Sequence, residues 1–536
     1  MIKLTEKFFI KRPKRRYYNL YATEGFINLP NDLTGTGPRT KVYVVGFVGG
    51  LVRTEEIDFD GTPIPGTTKT YNPQFENTKE NRERLRGTAV IPGPVISGDV
   101  GDEIYMSLTN LGMPLAGIDD PHTIHTHGGH VATQVDGFPE TSFGVPETPI
   151  GADEPITITY FYKATHPGTF MYHCHVEASE HVQLGMYGSF IIYPSYLSLF
   201  RAGIVRCPIT GKWFYKGSLQ PQIPDTATNR NFALNNINTY FDSEWIHLFS
   251  DIDSKWHNYV LTGGAFNAVD YKPDYWLVNG RAFPDTLLPT KLPEHLEPDY
   301  GYSIPEGYES YVKVNLEDKF LIRMANISYQ PVPWHTHGWH GTIVAKDTNP
   351  RIADPNNPGI ERAFTVLVGS GETYDVLFDA SDKRDEYANY IFCGQGGFPP
   401  LMEQVARAAE MAGEENIWEN IPLANGLGKG DFLPPYNWAV WNYGSGTANN
   451  FFFPQFYPAH NHDDYKVTNN GTYPGGQLTL IETDFPGSDY TASPPVITEP
   501  AWECPITIEN EKLIKENLSE ADKKLTLEEV EELIDK

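Results

Sequence analysis

The stretch His173-Cys-His-Val-Glu-Ala-Ser-Glu-His-Val-Gln-Leu-Gly-Met186, followed directly by Tyr-Gly-Ser-Phe-Ile-Ile-Tyr-Pro194, carries most of the information about this chain. In a β-strand, residues two apart point to the same face, so the imidazoles of His173 and His175 would lie side by side while the thiol of Cys174 faces the other way. One strand could therefore serve two metal sites. The apolar run that ends in proline predicts another strand.

His-x-His pairs recur along the chain, at His125/His127, His173/His175, His335/His337 and His460/His462. A chain with 16 histidines among 536 residues would contain about 0.5 such pairs by chance. Any single pair would be weak support for a metal site. The complete set indicates metal binding.

The composition and the local patterns favour an all-β protein. The chain contains 31 Tyr, 29 Phe, 48 Gly and 43 Pro, and short runs such as Lys41-Val-Tyr-Val-Val and Ile156-Thr-Ile-Thr-Tyr-Phe-Tyr lie between turn residues. These features are typical of β-sandwiches rather than of alternating strands and helices. The length of 536 residues is too great for one core and predicts two or three domains.

The strand-like segments form two blocks that resemble each other. His122-Thr-Ile-His-Thr-His-Gly and Val332-Pro-Trp-His-Thr-His-Gly stand at matching places, which indicates an internal duplication. We expect a first domain over 16–200, a connector over 201–230, a second domain over 231–485 with a helical insertion near 401–430, and a helical tail over 505–536.

Charge and cysteine content limit the possible partners. The formal charge of −28 disfavours nucleic acid and anionic membranes and suits neutral or cationic partners. No run of 18 apolar residues predicts a membrane-spanning helix. The 4 cysteines are too few and too scattered for a disulfide framework. The basic N-terminus lacks the apolar segment of a signal peptide, so either a signal has been trimmed or none exists.

Copper is the metal that the donor set favours. Two imidazoles, one thiolate and a weak axial thioether form the blue-copper electron-transfer site. His122, three residues before the first pair, together with Cys174, His181 and Met186, offers such a set. The CxxC and HxxxH spacings that zinc sites use do not occur in the sequence.

These motifs resemble the multicopper oxidases of cupredoxin fold, over nearly the whole chain apart from the tail. The first element resembles the family's HPxHxHG motif with Thr123 in place of proline, and the second resembles HCH…H…GM with two additional residues before the next histidine. The resemblance implies two cupredoxin-like Greek-key β-sandwich domains with a short helical C-terminal tail. It also implies a type 1 copper bound by His122, Cys174, His181 and Met186.

The resemblance further implies a trinuclear copper cluster held by the eight paired histidines. By position, His125 and His335 would bind the type 2 ion, and the type 3 pair would be bound by His127, His173, His175, His337, His460 and His462. Val332 stands where the first domain has His122, so only the first domain is expected to carry a type 1 site. The chain would then hold about four copper ions.

Two such domains with four His-x-His pairs resemble the two-domain laccase-like oxidases, in which three chains close a ring. The resemblance implies a homotrimer whose trinuclear clusters lie at subunit interfaces. It implies one-electron oxidation of a small reducing substrate at the type 1 copper, electron transfer from Cys174 to His173 or His175, and four-electron reduction of O₂ to water. An extracytoplasmic location is also suggested by the resemblance.

Several acidic residues and the remaining histidines could have a functional or a structural role. Asp136, eleven residues after His125 in Val-Asp-Gly, is a candidate proton relay or a turn residue. Asp463 and Asp464 could orient imidazoles or lie in a solvated turn. The remaining histidines are expected to be exposed or hydrogen-bonded rather than ligands, and His130 and His340 are expected to share a structural role such as a hydrogen bond; they are His130, His166, His247, His257, His295 and His340.

Two other functions compete with the oxidase. A copper nitrite reductase shares the two domains, the trimer and the type 1 site, but its single catalytic copper needs fewer histidines. A copper electron-transfer or storage protein would leave the eight paired histidines unused. The electron donor is open among phenols, aromatic amines, inorganic reductants and metal ions, although 8 methionines without a Met-rich segment disfavour a Cu(I)-specific oxidase.

Overall fold

The computed structural model describes residues 11–32, 37–207, 210–215, 218–219, 223–292, 302–352, 361–381 and 455–484. The expected helical insertion near 401–430 and the expected tail over 505–536 lie outside these described residues, as does His295. In the described part, no helix is long and apolar enough to cross a membrane.

The first domain is a sandwich of a five-stranded and a four-stranded sheet. Its strands are β1 (Lys14–Pro30), β2 (Arg39–Glu56), β3 (Lys69–Thr70), β4 (Ile96–Asp99), β5 (Glu103–Asn110), β6 (His125–His127), β7 (Thr157–Lys163), β8 (Gly168–His173) and β9 (Tyr187–Tyr193). The sheet orders are β3-β2-β1-β5-β7 and β4-β9-β8-β6. Two helices accompany these strands, α1 (Lys79–Leu85) and α2 (Ala178–Leu184).

The apolar side chains of both sheets meet in one core. Leu20, Phe47, Met106 and Phe190 are buried in it, each from a different strand. Strands β2, β7 and β9 are those that the short apolar and aromatic runs predict, and the all-β prediction is confirmed. Strand β6 is the edge of its sheet, so the first His-x-His pair lies at an edge.

The segment expected as a connector is itself folded. Helix α3 (Tyr196–Arg201) precedes a small antiparallel sheet of β10 (Ile204–Arg206), β11 (Trp213–Tyr215) and β12 (Ser218–Leu219). Trp213 is fully buried among apolar neighbours that include Leu199 and Phe232. A buried tryptophan gives this short segment a core of its own.

The second domain is a sandwich of a seven-stranded and a five-stranded sheet. Its elements are β13 (Ser243–Ile252), α4 (Ser254–Leu261), β14 (Tyr275–Val278), β15 (Val312–Asn315), β16 (Lys319–Asn326), β17 (Val332–Thr336), β18 (Gly341–Lys346), β19 (Asn349–Pro350), β20 (Arg362–Ala363), β21 (Thr365–Val368), β22 (Thr373–Asp379), β23 (Gln455–Asn461) and β24 (Leu478–Asp484). The larger sheet runs β14-β13-β16-β22-β18-β19 with β20 beside β18, and the smaller runs β15-β24-β23-β17-β21.

The two sandwiches share a continuous apolar interface. Met171 and Ile191 of the first domain lie in one buried cluster with Ile246 and Leu248 of the second. Helix α4 of the second domain also packs into the core of the first. The large shared core fixes the position of one domain against the other.

A buried ionic network joins the same two domains. Arg323 lies 2.6 Å from Glu244 and 3.2 Å from Asp375, and all three side chains are buried. The hydroxyl of Thr169 on β8 donates to Asp375 at 2.5 Å. Buried charges are stable only when they are paired in this way. The strand that ends at His173 is therefore held by the second domain.

Candidate metal centres

A thiol and two imidazoles converge inside the first sandwich. The Sγ atom of Cys174 lies 3.4 Å from Nδ1 of His181 and 3.9 Å from Nδ1 of His122. We call these residues the thiol cluster. All three are buried, and their possible ligand atoms lie within 4.8 Å of one another. The arrangement is the trigonal nitrogen and sulfur donor set that suits copper.

Main-chain hydrogen bonds hold the thiol cluster in place. The amide of Cys174 donates to the carbonyl of Met186 at 3.0 Å, and the amide of Met186 donates to the carbonyl of His181 at 3.0 Å. Helix α2, which carries His181, ends at Leu184 and is followed by Gly185, whose φ of +119° favours glycine. His122 exchanges two main-chain hydrogen bonds with Val145. Met186, the expected axial ligand, is fully buried beside the cluster.

Burial affects the two imidazoles differently. Burial holds the pKa of His122 well below its usual value, so this ring is neutral, as a metal ligand must be. Burial also lowers the pKa of His181, but the Asp120 carboxylate and the Cys174 thiol outweigh burial and raise that pKa to about 10. A metal ion at His181 must therefore displace a proton.

Asp120 is a residue of this site that the sequence patterns missed. Its Oδ2 lies 3.6 Å from Nε2 of His181, on the side of the ring away from the thiol. The carbonyl of Asp120 accepts a hydrogen bond at 2.8 Å from the side-chain amide of Asn110, which is fully buried. The sequence feature that could have identified Asp120 was its place two residues before His122, a predicted ligand. That signal is too common at protein surfaces to be informative.

Four histidines of the first domain gather at strand β6 and the end of strand β8. We call His125, His127, His173 and His175 the first histidine group. His125 and His173 stand directly opposite each other on β6 and β8. Nδ1 of His127 lies 3.2 Å from Nε2 of His173, and the ring centroid of His175 lies 5.2 Å from that of His125.

Hydrogen bonds to main-chain carbonyls fix which ring nitrogens of this group are free. Nδ1 of His125 lies 2.7 Å from the carbonyl of Asp136, and Nδ1 of His173 lies 2.9 Å from that of Cys174. Since a carbonyl only accepts, these Nδ1 atoms carry hydrogen and leave Nε2 for a metal. In His127, Nδ1 instead faces the ring of His173. The Cε1 and Nε2 atoms of His127 lie beside Gly371 in the second domain.

The second domain repeats this arrangement. We call His335, His337, His460 and His462 the second histidine group. His335 and His460 stand opposite each other on β17 and β23, and their Nδ1 atoms lie 2.7 Å from the carbonyl of Phe364 and 2.9 Å from that of Asn461. Nε2 of His337 lies 3.1 Å from Nε2 of His460. The repeated hydrogen-bond pattern supports the predicted internal duplication.

The two histidine groups differ in their exposure. His173 of the first group is buried, whereas His337 and His462 of the second group are exposed. Among the described residues, each ring contact within these pairs joins members of the same group. Each group therefore offers several imidazoles close together within one chain.

The main-chain pattern also identifies the second domain's counterpart of the thiol cluster. Asn461 donates to the carbonyl of Gln477 at 3.0 Å, as Cys174 does to Met186, and Gln477 donates to the carbonyl of Lys466 at 3.1 Å, as Met186 does to His181. The positions of His122, Cys174, His181 and Met186 are thus taken by Val332, Asn461, Lys466 and Gln477.

These replacements satisfy one another instead of binding a metal. The Asn461 amide donates to the side-chain oxygen of Gln477 at 2.7 Å, and Nζ of Lys466 donates to the carbonyl of Pro331 and to Asp463, each at 3.0 Å. An amide and an ammonium are poor copper ligands. Among the described residues of the second domain, these positions offer no thiol and imidazole set, and a type 1 site in the first domain alone stays a prediction.

The weaker acidic candidates lie close to the imidazoles. Asp136 supplies its carbonyl to His125, and its carboxylate accepts from the amide of Phe138 at 3.0 Å, which is the geometry of a turn. Asp464 lies 3.9 Å from Nδ1 of His460. Asp463 pairs with Lys466 rather than with a histidine ring.

The remaining described histidines lie apart from both groups. The ring centroid of His130 lies 4.8 Å from that of His166, and that of His340 lies 5.3 Å from that of Phe364. Each of these two histidines thus lies close to another aromatic ring, and their shared structural role stays a prediction. His247 and His257 are fully buried, and each lies within hydrogen-bond distance of a main-chain carbonyl.

Comparison with known proteins gives the class to which this geometry belongs. Residues 67–196, which include the thiol cluster and the first histidine group, match the family model described as multicopper oxidase. This part of the chain is therefore similar to a multicopper oxidase domain. This similarity and the clustered thiol and imidazole donors both favour copper as the metal.

The relatives are similar over part of their length. The chain is 32% identical to Laccase-2 of Botryotinia fuckeliana over 141 residues, which is 25% of this chain and 22% of that protein. It is 35% identical to the multicopper oxidase MmcO of Mycobacterium tuberculosis over 86 residues, 16% of this chain and 14% of that protein. The blue copper oxidase from Nitrosomonas europaea superimposes with a TM-score of 0.47 at 19% identity, covering 88% of this chain and 86% of that one.

Proposed function

We propose that this protein is a multicopper oxidase that couples one-electron oxidation of a small reducing substrate to four-electron reduction of O₂ to water. The observation that carries this proposal is that consecutive residues at the end of strand β8 point to two different clusters. The thiol of Cys174 faces the thiol cluster, while the flanking His173 and His175 belong to the first histidine group. A centre that accepts electrons is thus joined covalently to a separate group of imidazoles.

The donor sets fit copper at both places. Buried thiol sulfur with two imidazole nitrogens and a neighbouring Met186 suits a type 1 ion, and imidazoles alone suit type 2 and type 3 ions. Bound copper would supply electron transfer at the thiol cluster and O₂ chemistry at the histidine groups. His125 and His335 are proposed for type 2, and type 3 is proposed for His127, His173, His175, His337, His460 and His462.

The chain's own groups would prepare these sites. Main-chain carbonyls orient His125, His173, His335 and His460 so that each presents Nε2, and burial lowers the pKa of His173 to about 3, which keeps this ring neutral. The bonded path from Cys174 to its neighbours needs no movement of side chains. Orientation by outer hydrogen bonds commonly improves metal affinity about 10- to 100-fold.

We propose that three chains form a homotrimer. The first histidine group of one chain and the second histidine group of the next would together form each trinuclear site. The exposed second histidine group lies beside edge strand β21, on which Leu367 is 60% exposed, and the adjacent Phe364 is 56% exposed. The first group lies beside Phe138, which is 37% exposed and contacts the ring of His175. Apolar side chains on exposed sheet edges are typical of protein interfaces. Head-to-tail contacts that close under rotation form rings.

Copper content with spectroscopy tests this proposal directly. About four copper ions per chain, blue type 1 absorption and a spin-silent coupled pair are expected, together with O₂ uptake in the presence of an artificial donor. About two copper ions per chain, both visible by paramagnetic resonance, would instead support a nitrite reductase. Full copper loading without O₂ uptake would support a storage or electron-transfer protein.

A further inference from the structure

We propose that Gln183 is a positioning residue for the expected type 1 copper ligands His181 and Met186, and that Asp251 and Asp253 of the second domain hold its side chain. This inference rests on the proposed oxidase function, because it concerns the metal at the thiol cluster. Gln183 stands between the two ligands in the sequence, so a contact that fixes Gln183 limits the movement of both.

Helix α2, which carries His181 and Gln183, is too short to hold its own position. It has 7 residues, and among the described residues no side chain caps its N-terminus at Glu177. Glu177 and Gly185, which flank the helix, have φ values of +40° and +119°. Helices of fewer than about 12 residues are marginal in isolation, and a positive φ is unfavourable for glutamate. Contacts with other segments must therefore hold α2 in place.

The spacing of the motif increases this need. The segment between Cys174 and His181 contains two residues more than the family motif that it resembles. A longer segment between two fixed points has more conformations, and fixing one of them loses more entropy. An additional contact that holds His181 near Cys174 offsets this loss.

The side chain of Gln183 makes hydrogen bonds to the second domain from both ends of its amide. Nε2 donates to Oδ1 of Asp251 at 3.0 Å and to the main-chain carbonyl of Asp251 at 3.3 Å. Oε1 accepts from the main-chain amide of Asp253 at 2.7 Å. Asp251 lies on strand β13, and Asp253 caps the N-terminus of helix α4. The buried amide is thus bound to regular structure of the second domain.

Asp251 is itself fixed by a further contact. Its side chain is buried, and Oδ2 accepts from the main-chain amide of Tyr329 at 3.2 Å. The hydroxyl of Tyr329 in turn donates to the carbonyl of Ser179 at 2.6 Å, and the indole of Trp256 donates to Glu180 at 3.1 Å. The second domain therefore holds helix α2 at several of its residues.

These contacts bear directly on the thiol cluster. Trp256 lies in the same apolar cluster as Cys174 and Met186, and Nδ1 of His181 lies 3.4 Å from Sγ of Cys174. A metal ion needs its donors at fixed distances, and loss of an outer partner typically weakens metal binding about 10- to 100-fold. The second domain thus positions ligands that belong to the first domain.

Copper affinity at the thiol cluster is the first measurement. The copper-loaded protein is titrated with a copper chelator without O₂; the blue absorption reports the type 1 ion, and metal analysis reports total copper. In Gln183→Ala, the affinity for the type 1 ion is expected to fall about 10-fold or more. Copper at the histidine groups should be retained. An equal loss from those groups would show general unfolding and would contradict a positioning role.

A spectroscopic signature separates positioning from a change in stability. Displacement of His181 and Met186 would alter the coordination of the type 1 ion, so its hyperfine splitting in paramagnetic resonance should change in Gln183→Ala. If that variant unfolds more readily but keeps the spectrum and the affinity of the unsubstituted protein, the proposal is overturned.

An exchange of the two side chains provides a rescue. Gln183→Glu alone places a second carboxylate against Asp251 and should weaken binding of the type 1 ion at least as much as Gln183→Ala does. Combined with Asp251→Asn, a donor and an acceptor again face each other, and an oxygen remains for each of the main-chain amides of Asp253 and Tyr329. The combined variant should regain an affinity within about 3-fold of the unsubstituted protein. Additive losses in the combined variant would overturn the proposal.

Tyr275→Phe is the matched control. The Tyr275 hydroxyl donates to Thr40 at 2.7 Å across the same domain interface, and neither residue lies on helix α2. The affinity and the spectrum of the type 1 ion should be unchanged in this variant, and an equal fall would overturn the assignment to Gln183. A protein that binds blue copper but consumes no O₂ would refute the oxidase function, while the affinities, measured without O₂, would still decide the role of Gln183.

Discussion

His173 stands directly opposite His125 across the antiparallel pair of β6 and β8. Because side chains alternate along a strand, Cys174 then faces the other way, toward His122 and His181. The same register that aligns two imidazoles therefore places the thiol in the sandwich core. The end of this strand pair thus separates the thiol cluster from the first histidine group.

Replacement of Cys174 should separate the two sites functionally. Cys174→Ser removes the thiolate, so we expect loss of the blue absorption and of donor oxidation, while about three copper ions per chain remain at the histidine groups. Metal analysis and visible spectroscopy measure both effects. Cys207→Ser is the control, since Cys207 is a second buried free cysteine outside the thiol cluster. Retained oxidase turnover in Cys174→Ser would contradict the electron path.

Asp136 is expected to assist proton delivery to O₂. In Asp136→Asn, the main-chain carbonyl can still accept from His125 and the side-chain oxygen can still accept from Phe138, so the turn should persist. Loss of a proton carrier should slow O₂ turnover by about 100-fold or more while anaerobic reduction of the type 1 site is unchanged. Asp463→Asn is the control. Unchanged turnover in Asp136→Asn would reduce this residue to its role in the turn.

The proposed homotrimer depends on the exposed apolar side chains of edge strand β21, which lies beside the second histidine group. Leu367→Glu places a charge on edge strand β21, and we expect dissociation to monomers in sedimentation experiments. O₂ uptake should be lost with the interface, whereas the blue absorption of the buried thiol cluster should persist. Val269→Glu, at a position that is 88% exposed, is the matched control. A trimer that survives Leu367→Glu would place the interface elsewhere.

Acid should destabilise the folded protein through its buried neutral histidines. Burial lowers the pKa of His257 from 6.5 to about 4, so the unfolded chain binds a proton that the folded chain excludes. The contribution of neutral His257 to the free energy of unfolding is complete above pH 6.5. It falls by about 3 kcal/mol as the pH decreases toward 4.

Urea unfolding of the metal-free protein across this pH range measures the effect of His257. His257→Gln should make the dependence of the unfolding free energy on pH shallower between pH 6.5 and 4. His340→Gln should leave that dependence as it is, because His340 is exposed. Equal slopes for His257→Gln and the unsubstituted protein would contradict the assigned burial effect.

Much of the fold could be predicted because its signals are local. Apolar and aromatic runs bounded by turn residues predict strands such as β2, β7 and β9, and the structure has them. The His-x-His spacing likewise shows which residues share a face of a strand. The folded connector around Trp213 was not predicted, because its short strands form only through contacts with Leu199 and Phe232.

The second domain shows where spacing alone fails. Met186 lies five positions after His181, but its counterpart Gln477 lies eleven positions after Lys466, so no single sequence offset aligns the two pairs. The shared main-chain hydrogen bonds reveal the correspondence. An inserted turn changes the spacing along the chain and leaves the paired strands in place.

The sequence by itself determined the strand-rich fold class and the identity of the imidazole and thiol donors, because alternation along a strand and donor chemistry are properties of neighbouring residues. Tertiary structure decided which donors converge and which segments cover them. Asp120 contacts His181 from a separate loop, and the second domain covers helix α2 from 68 or more residues away along the chain. Burial and access depend on packing between distant segments, and packing of that kind leaves no local pattern in a sequence.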